Sequence, residues 1–165
     1  MMMRMTILLV TGALIAGCGV AATPRLAGQQ PAASAAQARG GFVDLQGRPV
    51  SLDAFKGRPV VLSFLAPGDW DSGAQVPLLI RLAGAYKPEG IAFVCGGEGS
   101  QGALRELGRE LPFDVWQDLG GRELAARGFT GVPAHQFITR DGRVQASREG
   151  FLSRGQLTEL IEALR

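Results

Sequence analysis

The chain has 165 residues, with 17 Lys and Arg against 15 Asp and Glu and 46% hydrophobic residues. This length accommodates one domain with an appendage, and the apolar content excludes disorder throughout. A formal charge of +2 spread over the chain is not the concentrated positive field that nucleic acids require, so the composition argues against a nucleic-acid partner. Two cysteines and one histidine exclude a structural zinc site made of Cys and His alone.

The first 17 residues have the pattern of an export signal peptide. An apolar run over residues 6–15 is followed by small residues that lead to Cys18. Such a run is too short to span a bilayer as a mature helix. Residues 15–18 resemble the bacterial lipobox, in which the cysteine is acylated and becomes the new N-terminus. We therefore expect a signal peptide over residues 1–17 and a lipid anchor on Cys18, with an ordinary signal peptide or an uncleaved anchor as the alternative.

The next segment has the composition of a linker. Residues 19–40 are rich in Ala, Gln, Gly, Pro and Ser and contain no aromatic residue. Such a segment buries too little apolar surface to fold, so we expect residues 18–40 to be a flexible tether with an r.m.s. reach of about 26 Å. The sequence thus predicts a lipid-anchored protein of the bacterial cell envelope that faces the periplasm or the exterior. The absence of Asp at position 19 is typical of lipoproteins sorted to an outer membrane.

Residues 41–165 carry the signals of a single α/β domain. In chain order, the patterns predict a β-hairpin over residues 42–52 with Pro49 on an edge strand, a buried strand over 60–65, a helix over about 74–86, a buried strand over 91–95, a helix capped by Ser100, a short strand over 113–117, a short helix over 121–127, two antiparallel strands over 134–139 and 143–148, and a last helix that starts at the Ser153–Gln156 capping box. This order predicts parallel crossovers that close on an antiparallel hairpin, hence a mixed sheet with helices on both faces.

Four short motifs in the domain carry a family resemblance. They are Phe55–Phe64 leading into the central strand, Pro77–Leu79 in the next helix, Gly131–Pro133 before the antiparallel pair, and Asp141–Gly142 in its turn. Together they resemble the thioredoxin-like fold, and within it the membrane-anchored thiol-disulfide oxidoreductases and redoxins of the bacterial envelope. The resemblance covers nearly all of residues 42–165. It implies a thioredoxin-like domain with an N-terminal β-hairpin and a cis proline, facing the active site, at Pro133.

The resemblance fails at the residues that carry the family's chemistry. Its members end the central strand with Trp-Cys-x-x-Cys, where a thiolate at a helix N-terminus attacks a disulfide and the second cysteine resolves the intermediate. Counted from Phe64 and back from Pro77, Asp69 and Ser72 occupy the two cysteine positions. A second register, on the peroxiredoxin loop, puts Ala74 at the peroxidatic cysteine. Neither register supplies a sulfur, so dithiol chemistry is not expected at this site.

Two other residues each have a structural and a functional interpretation. Cys95, at the predicted end of the second buried strand, is either a small buried hydrophobic residue or a reactive thiol on the same rim as the Asp69–Ser72 loop. His135 is either a satisfied buried histidine or a functional partner of Asp69 or Asp71.

Trp70 lies in a loop of Gly and Asp residues with no evident core to join, and exposed tryptophans are enriched at interfaces. Together with Asp71 and His135 it is a candidate contact for a partner or ligand, the alternative being packing within the domain. No strained Gly-x-Ser-x-Gly turn surrounds Ser72, which argues against a hydrolase, and residues 69–73 are too short for a calcium loop. The sequence predicts neither a metal site nor a cofactor.

These observations favour a membrane-tethered, redox-inactive thioredoxin-like lipoprotein that acts as a binding or accessory subunit of a cell-envelope complex, such as a respiratory or electron-transfer complex. Its expected partners are membrane lipid, through acylated Cys18, and a membrane-protein complex. The alternative is a thiol-dependent oxidoreductase or peroxidase that uses Cys95. The sequence therefore favours binding over catalysis and leaves the enzymatic alternative open.

Overall fold

The computed structural model describes residues 41–165, so the predicted signal peptide, the predicted lipidation site at Cys18 and the predicted tether lie outside the described residues. The strands are β1 (Phe42–Asp44), β2 (Pro49–Val50), β3 (Val60–Leu65), β4 (Ala92–Gly97), β5 (Asp114–Asp118), β6 (Ala134–Ile138) and β7 (Val144–Glu149). The helices are α1 (Trp70–Tyr86), α2 (Gln101–Glu110), α3 (Arg122–Ala126) and α4 (Arg154–Glu162), with short 3-10 turns at Leu52–Phe55 and Leu119–Gly121. The strands form one seven-stranded sheet in the order β2-β1-β5-β4-β3-β6-β7.

The pairing of the strands brings several loops to one end of this sheet. β3, β4 and β5 are parallel, so their carboxyl ends lie together. β6 starts at this end because Ala134 pairs with Phe64, and β7 ends there because Glu149 pairs with Ala134. β1 also starts there, since Phe42 pairs with Asp118. We call this the carboxyl end of the sheet, which is where open α/β sheets bind their ligands.

Helices cover both faces of the sheet, as the sequence predicts. On one face, Leu104 of α2 and Leu79 of α1 belong to one buried cluster, while Leu157 of α4 joins Leu82 of α1 in a second. α3 lies on the other face, where Leu124 joins a third cluster. Its aromatic members are Phe42, Phe64, Trp116 and Phe129.

The predicted N-terminal hairpin is present, with Phe42 of β1 paired to Val50 of β2. β2 is the outermost strand on its side of the sheet. The edge position suits Pro49, because a proline has no N–H to give to a further strand.

α1 begins four residues earlier than the predicted start near Ala74, at Trp70. The reason is a cap: Asp69 has extended backbone angles, and its side chain accepts a hydrogen bond from the backbone N–H of Ser72. Pro77 therefore lies inside the helix. The predicted cap of α2 at Ser100 and the capping box that starts α4 are both confirmed.

β4 is longer than the predicted strand over 91–95, because it continues through Gly96 and Gly97. Both glycines allow close packing: a Cβ on Gly96 would collide with the ring of Phe42, and one on Gly97 with Leu104 of α2. The two glycines thus end the strand next to the loop that follows β3. None of the helices within residues 41–165 combines the length and the apolar character that crossing a membrane requires.

Candidate functional site

Asp69 stands at the start of α1, at the carboxyl end of β3. Its Oδ2 accepts a hydrogen bond of 2.7 Å from the backbone N–H of Ser72. This bond, supported by the Ser72 hydroxyl, holds the pKa of the Asp69 carboxyl below its usual range. A charged carboxylate at a helix N-terminus is also favoured by the helix dipole. Asp69 therefore holds a fixed negative charge where the resemblance implies an attacking thiolate.

Ser72, which the sequence predicts to replace the second cysteine, is buried on the inner side of the first turn of α1, with 2% of its surface exposed. Its Oγ accepts a hydrogen bond of 3.2 Å from the backbone N–H of Ala66. The same hydroxyl also hydrogen-bonds the Asp69 carboxylate and helps to lower its pKa. A carboxylate whose pKa is lowered is a weak general base, so Ser72 is poorly activated as a nucleophile and has a structural role in closing the loop.

Pro133 lies beside this loop, immediately before β6. The Val132–Pro133 peptide bond is cis, in agreement with what the resemblance implies. The proline carbonyl accepts a hydrogen bond of 2.7 Å from the backbone N–H of Gly150. Since Ala134 pairs with Phe64, Pro133 lies in space next to the carboxyl end of the central strand β3. The loops after β3, before β6 and after β7 therefore meet at this position.

Trp70 and Asp71 both project from the first turn of α1 into solvent. Trp70 is 87% exposed, so it takes no part in the core, and packing within the domain does not explain it. Phe151, one residue after the Gly150 that bonds Pro133, is 45% exposed. We call Trp70, Asp71 and Phe151 the Trp70 surface. Phe151 was not identified from the sequence as a surface residue. Its place between Gly150 and the helix cap Ser153 indicates a loop, where an aromatic side chain can be exposed.

Gln75 joins α1 to the segment before α4 and was also not predicted. Its side chain is fully buried, and its Oε1 accepts a hydrogen bond of 2.8 Å from the backbone N–H of Leu152. Its Nε2 donates to the carbonyl of the same residue at 3.2 Å. The amide thus satisfies both backbone groups of one buried peptide segment. It holds the chain next to Phe151 against the helix that carries Trp70.

His135 does not contribute to the Trp70 surface. The ring is fully buried on β6, and its Nδ1 lies 2.9 Å from Oγ of Ser63 on β3. Its Nε2 is buried without a hydrogen-bond partner in the described part of the chain. Burial lowers the pKa of His135 to about 4. The burial agrees with the interpretation of a structural histidine, because the hydrogen-bond partner within residues 41–165 is Ser63 rather than Asp69 or Asp71. A functional role of His135 stays a prediction.

The buried ring of His135 should make stability fall with acidity. Its pKa is about 4 in the folded domain against the ordinary 6.5, so the unfolded chain binds more protons between these values. The free energy of unfolding is therefore expected to fall as the pH drops below about 6.5, by an amount that reaches on the order of 3 kcal/mol near pH 4. Urea titrations of the wild type and His135→Phe between pH 7 and pH 4 measure this difference. If the difference in unfolding free energy between the two proteins stayed constant over that range, the lowered pKa of His135 would be contradicted.

Cys95 is also buried rather than exposed. It lies two residues before the end of β4, and no part of it is exposed. Its buried cluster also contains Leu65, Leu79 and Leu104. Burial raises the pKa of the Cys95 thiol to about 12, which leaves almost no thiolate at neutral pH. The burial agrees with the interpretation of Cys95 as a small buried hydrophobic residue. A reactive thiol stays a prediction, and it would require α1 or α2 to move away from β4.

A shallow cleft of about 220 Å³ lies between the β3–α1 loop and α2, with Leu65, Val76, Leu107 and Glu106 in its wall. It is smaller than the ~300–1,000 Å³ of ordinary cofactor pockets. Within residues 41–165, no group of three His, Cys, Asp or Glu side chains is arranged to hold a metal ion. The described site therefore offers a polar helix start and an exposed aromatic surface rather than a cofactor pocket.

The chain resembles thiol-disulfide oxidoreductases. It is 26% identical over 124 residues to the thiol-disulfide oxidoreductase ResA of Bacillus thuringiensis, an overlap of 73% of this chain and 72% of the relative. DsbF of Mycobacterium tuberculosis superimposes with a TM-score of 0.68 and 26% identity, over 79% of this chain and 98% of that chain. A secreted disulfide oxidoreductase of Mycobacterium tuberculosis, homologous to Escherichia coli DsbE, gives a TM-score of 0.66 and 25% identity, over 74% and 94% of the two chains. The chain matches no family model.

Proposed function

Because the chain has the thioredoxin-like fold and is a relative of the thiol-disulfide oxidoreductases, we propose that it is a redox-inactive member of that group. It acts as a lipid-anchored subunit of a cell-envelope complex and binds a protein partner through the Trp70 surface. The exposure of Trp70 at the former reaction site carries this proposal.

The chemistry of the site supports a loss of catalysis. Thiol-disulfide exchange requires a thiolate that attacks a substrate sulfur and a second thiol that releases the product. Asp69 and Ser72 stand at those two positions and contain no sulfur. Cys95 is buried in the core beneath α1 and α2. The fold therefore keeps the family's scaffold without a pair that could accept two electrons.

The exposed tryptophan supports binding. Contact with a partner would remove ~150–250 Å² of aromatic surface from water, which is worth about 4–6 kcal/mol before the costs of association. Tryptophan is also enriched among residues that dominate interface energies. Gln75 and the bond between Gly150 and Pro133 hold the surrounding loops in place. A surface arranged before binding loses less entropy on association.

Anchoring to a membrane is part of the proposal. It rests on the apolar run that ends at Cys18 and on the linker composition of residues 19–40. The mycobacterial relative described as secreted is consistent with export of this fold. In such a protein the acyl chains hold the domain at the lipid surface, and the tether lets it reach a neighbouring membrane protein.

Trp70→Ala is expected to weaken partner binding by about 30-fold or more, because truncating a central interface tryptophan costs at least about 2 kcal/mol. The measurement is the size of the complex that contains the full-length protein, after extraction of native membranes with mild detergent. Val144→Ala is the matched control. Val144 is also an exposed apolar residue, but it starts β7 and so lies at the end of the sheet opposite to Trp70. A wild-type protein found only as a free monomer would contradict the proposal.

A second function is favoured by the comparisons rather than by the site. The relatives are thiol-disulfide oxidoreductases, and Cys95 is the one cysteine among the described residues. An enzyme of this kind would require an opening of α1 or α2 that exposes the thiol and lowers its pKa. Insulin-disulfide reduction by the wild type and by Cys95→Ser decides between the two functions.

A further inference from the structure

The chain enters the domain at the same end of the sheet as the Trp70 surface. Gly41, the first described residue, precedes β1, which starts at the carboxyl end because Phe42 pairs with Asp118. The carbonyl of Gly41 accepts a hydrogen bond of 3.3 Å from the backbone N–H of Leu119. From β1 to β3 there are three strand intervals in the sheet, which amounts to roughly 14 Å. Gly41 therefore lies at the same end of the sheet as Trp70, a few strands away across the sheet.

Gly41 is held in place by a side chain of α3, Glu123, and by Arg127, the residue that follows α3. Oε1 of Glu123 accepts a hydrogen bond of 2.8 Å from the backbone N–H of Gly41. Oε2 of the same carboxylate pairs with Arg127 at 2.6 Å. The guanidinium of Arg127 lies over the ring of Phe42, 5.6 Å from its centre. These contacts fix the position of Gly41 at the carboxyl end of the sheet.

The exposed apolar side chains are distributed unevenly between the two ends of the sheet. The large exposed hydrophobic residues of the described chain are Trp70, Leu119, Val144 and Phe151. Trp70 follows β3, Leu119 follows β5 and Phe151 follows β7, so three of these four lie at the carboxyl end. Val144, at the start of β7, lies at the other end. The apolar surface is thus concentrated where the tether is attached.

We propose that the carboxyl end of the sheet faces the membrane that holds the lipid anchor, and that the Trp70 surface binds the near-membrane segment of a protein embedded in that same membrane. This inference rests on the proposed function, since it assumes both the anchor and the binding role. The proposed tether of about 22 residues would, as a flexible coil, have an r.m.s. reach of about 26 Å, which would keep the end that carries Gly41 close to the lipid. A partner that projects only a short way from the bilayer is then within reach of Trp70.

The charges beside Trp70 indicate which occupant fits. Asp69 and Asp71 flank the tryptophan on the first turn of α1, and neither forms an ion pair within residues 41–165. Two carboxylates would lose hydration on insertion into lipid headgroups, which disfavours bare lipid as the occupant. A polypeptide with an apolar side chain for Trp70 and Phe151 and a basic side chain for the aspartates complements the surface.

Photo-crosslinking in the native cells tests this inference. The full-length protein would carry the photoreactive amino acid p-benzoylphenylalanine in place of Trp70, and in a control protein in place of Val144. A third protein, with the crosslinker at position 70, would be exported by a leader that is cleaved without lipidation. We expect position 70 of the anchored protein to crosslink to a membrane-embedded protein at a segment next to its membrane span. The yield should be at least tenfold lower at position 144 and at least tenfold lower without the anchor, because tethering raises the local concentration by orders of magnitude.

The other outcomes separate this inference from the proposed function. A crosslink to a soluble protein, or a yield that does not change without the anchor, would overturn the same-membrane inference and leave the binding role standing. A crosslink to lipid alone would overturn the protein occupant. No crosslink from position 70 of the anchored protein would overturn both the inference and the proposed function.

Discussion

Cysteines at positions 69 and 72 are expected to give this domain the chemistry that it lacks. In the variant Asp69→Cys/Ser72→Cys, the first thiolate would replace the carboxylate that now accepts the Ser72 N–H at 2.7 Å, at the start of a long helix. Such a position lowers the pKa of a thiol. We expect the reduced variant to transfer two electrons to insulin disulfides at a rate at least ~100-fold above the wild type, with dithiothreitol as the reductant that restores the pair.

A matched control carries two cysteines with the same spacing, placed two residues further along α1. In Asp71→Cys/Ala74→Cys, both cysteines would lie on exposed positions of the helix, where the first thiol lies past the helix start. This pair should reduce insulin no faster than the wild type. If the variant with cysteines at positions 69 and 72 folds, by circular dichroism, yet forms no disulfide and shows no activity, the assignment of these two positions as the family's cysteine positions is wrong.

Gln75→Leu is expected to destabilise the domain by about 2–6 kcal/mol. The change removes the partners of two buried backbone groups, the N–H and the carbonyl of Leu152, and each buried group left without a hydrogen bond costs about 1–3 kcal/mol. The chain around Phe151 should also become mobile, since Gln75 ties it to α1. Urea unfolding measures the first effect, and amide hydrogen exchange at Leu152 measures the second.

Gln145→Leu is the control for this prediction. Gln145 also donates a side-chain hydrogen bond to a backbone carbonyl, that of Ala163 at 2.8 Å, but it is exposed to water. Its loss should cost less than about 1 kcal/mol, because water replaces the missing partner. Equal losses in the two variants would show that the buried amide of Gln75 has no special role.

The features of the fold that were predictable are those with a local cause. The Ser153–Gln156 capping box, the Ser100 cap and the edge position of Pro49 each follow from hydrogen-bonding needs that only a few residue types meet. The assignment of Asp69 and Ser72 to the cysteine positions depends on the spacing between Phe64 and Pro77, and it stays a prediction. The carboxylate cap of α1 at Asp69 was not predicted, because the apolar pattern indicates a helix start near Ala74.

What escaped prediction depends on residues that are distant in sequence. β4 continues through Gly97 because this residue pairs with Leu65 and Gln117, and Leu104 occupies the space of the missing Cβ. Locally, a glycine indicates the end of a strand. The role of Gln75 depends on Leu152, 77 positions away. The burial of His135 depends on the helices that cover the sheet. In each case a local pattern has two interpretations, and only tertiary packing decides between them.

The most direct test of the proposed function is the redox activity of the native full-length protein. Insulin-disulfide reduction and peroxide consumption would be measured for the wild type and for Cys95→Ser, each with dithiothreitol as reductant. The absence of sulfur at Asp69 and Ser72 and the burial of Cys95 predict rates equal to the uncatalysed background in both proteins. Turnover by the wild type that disappears in Cys95→Ser would contradict the account and establish a thiol-dependent enzyme.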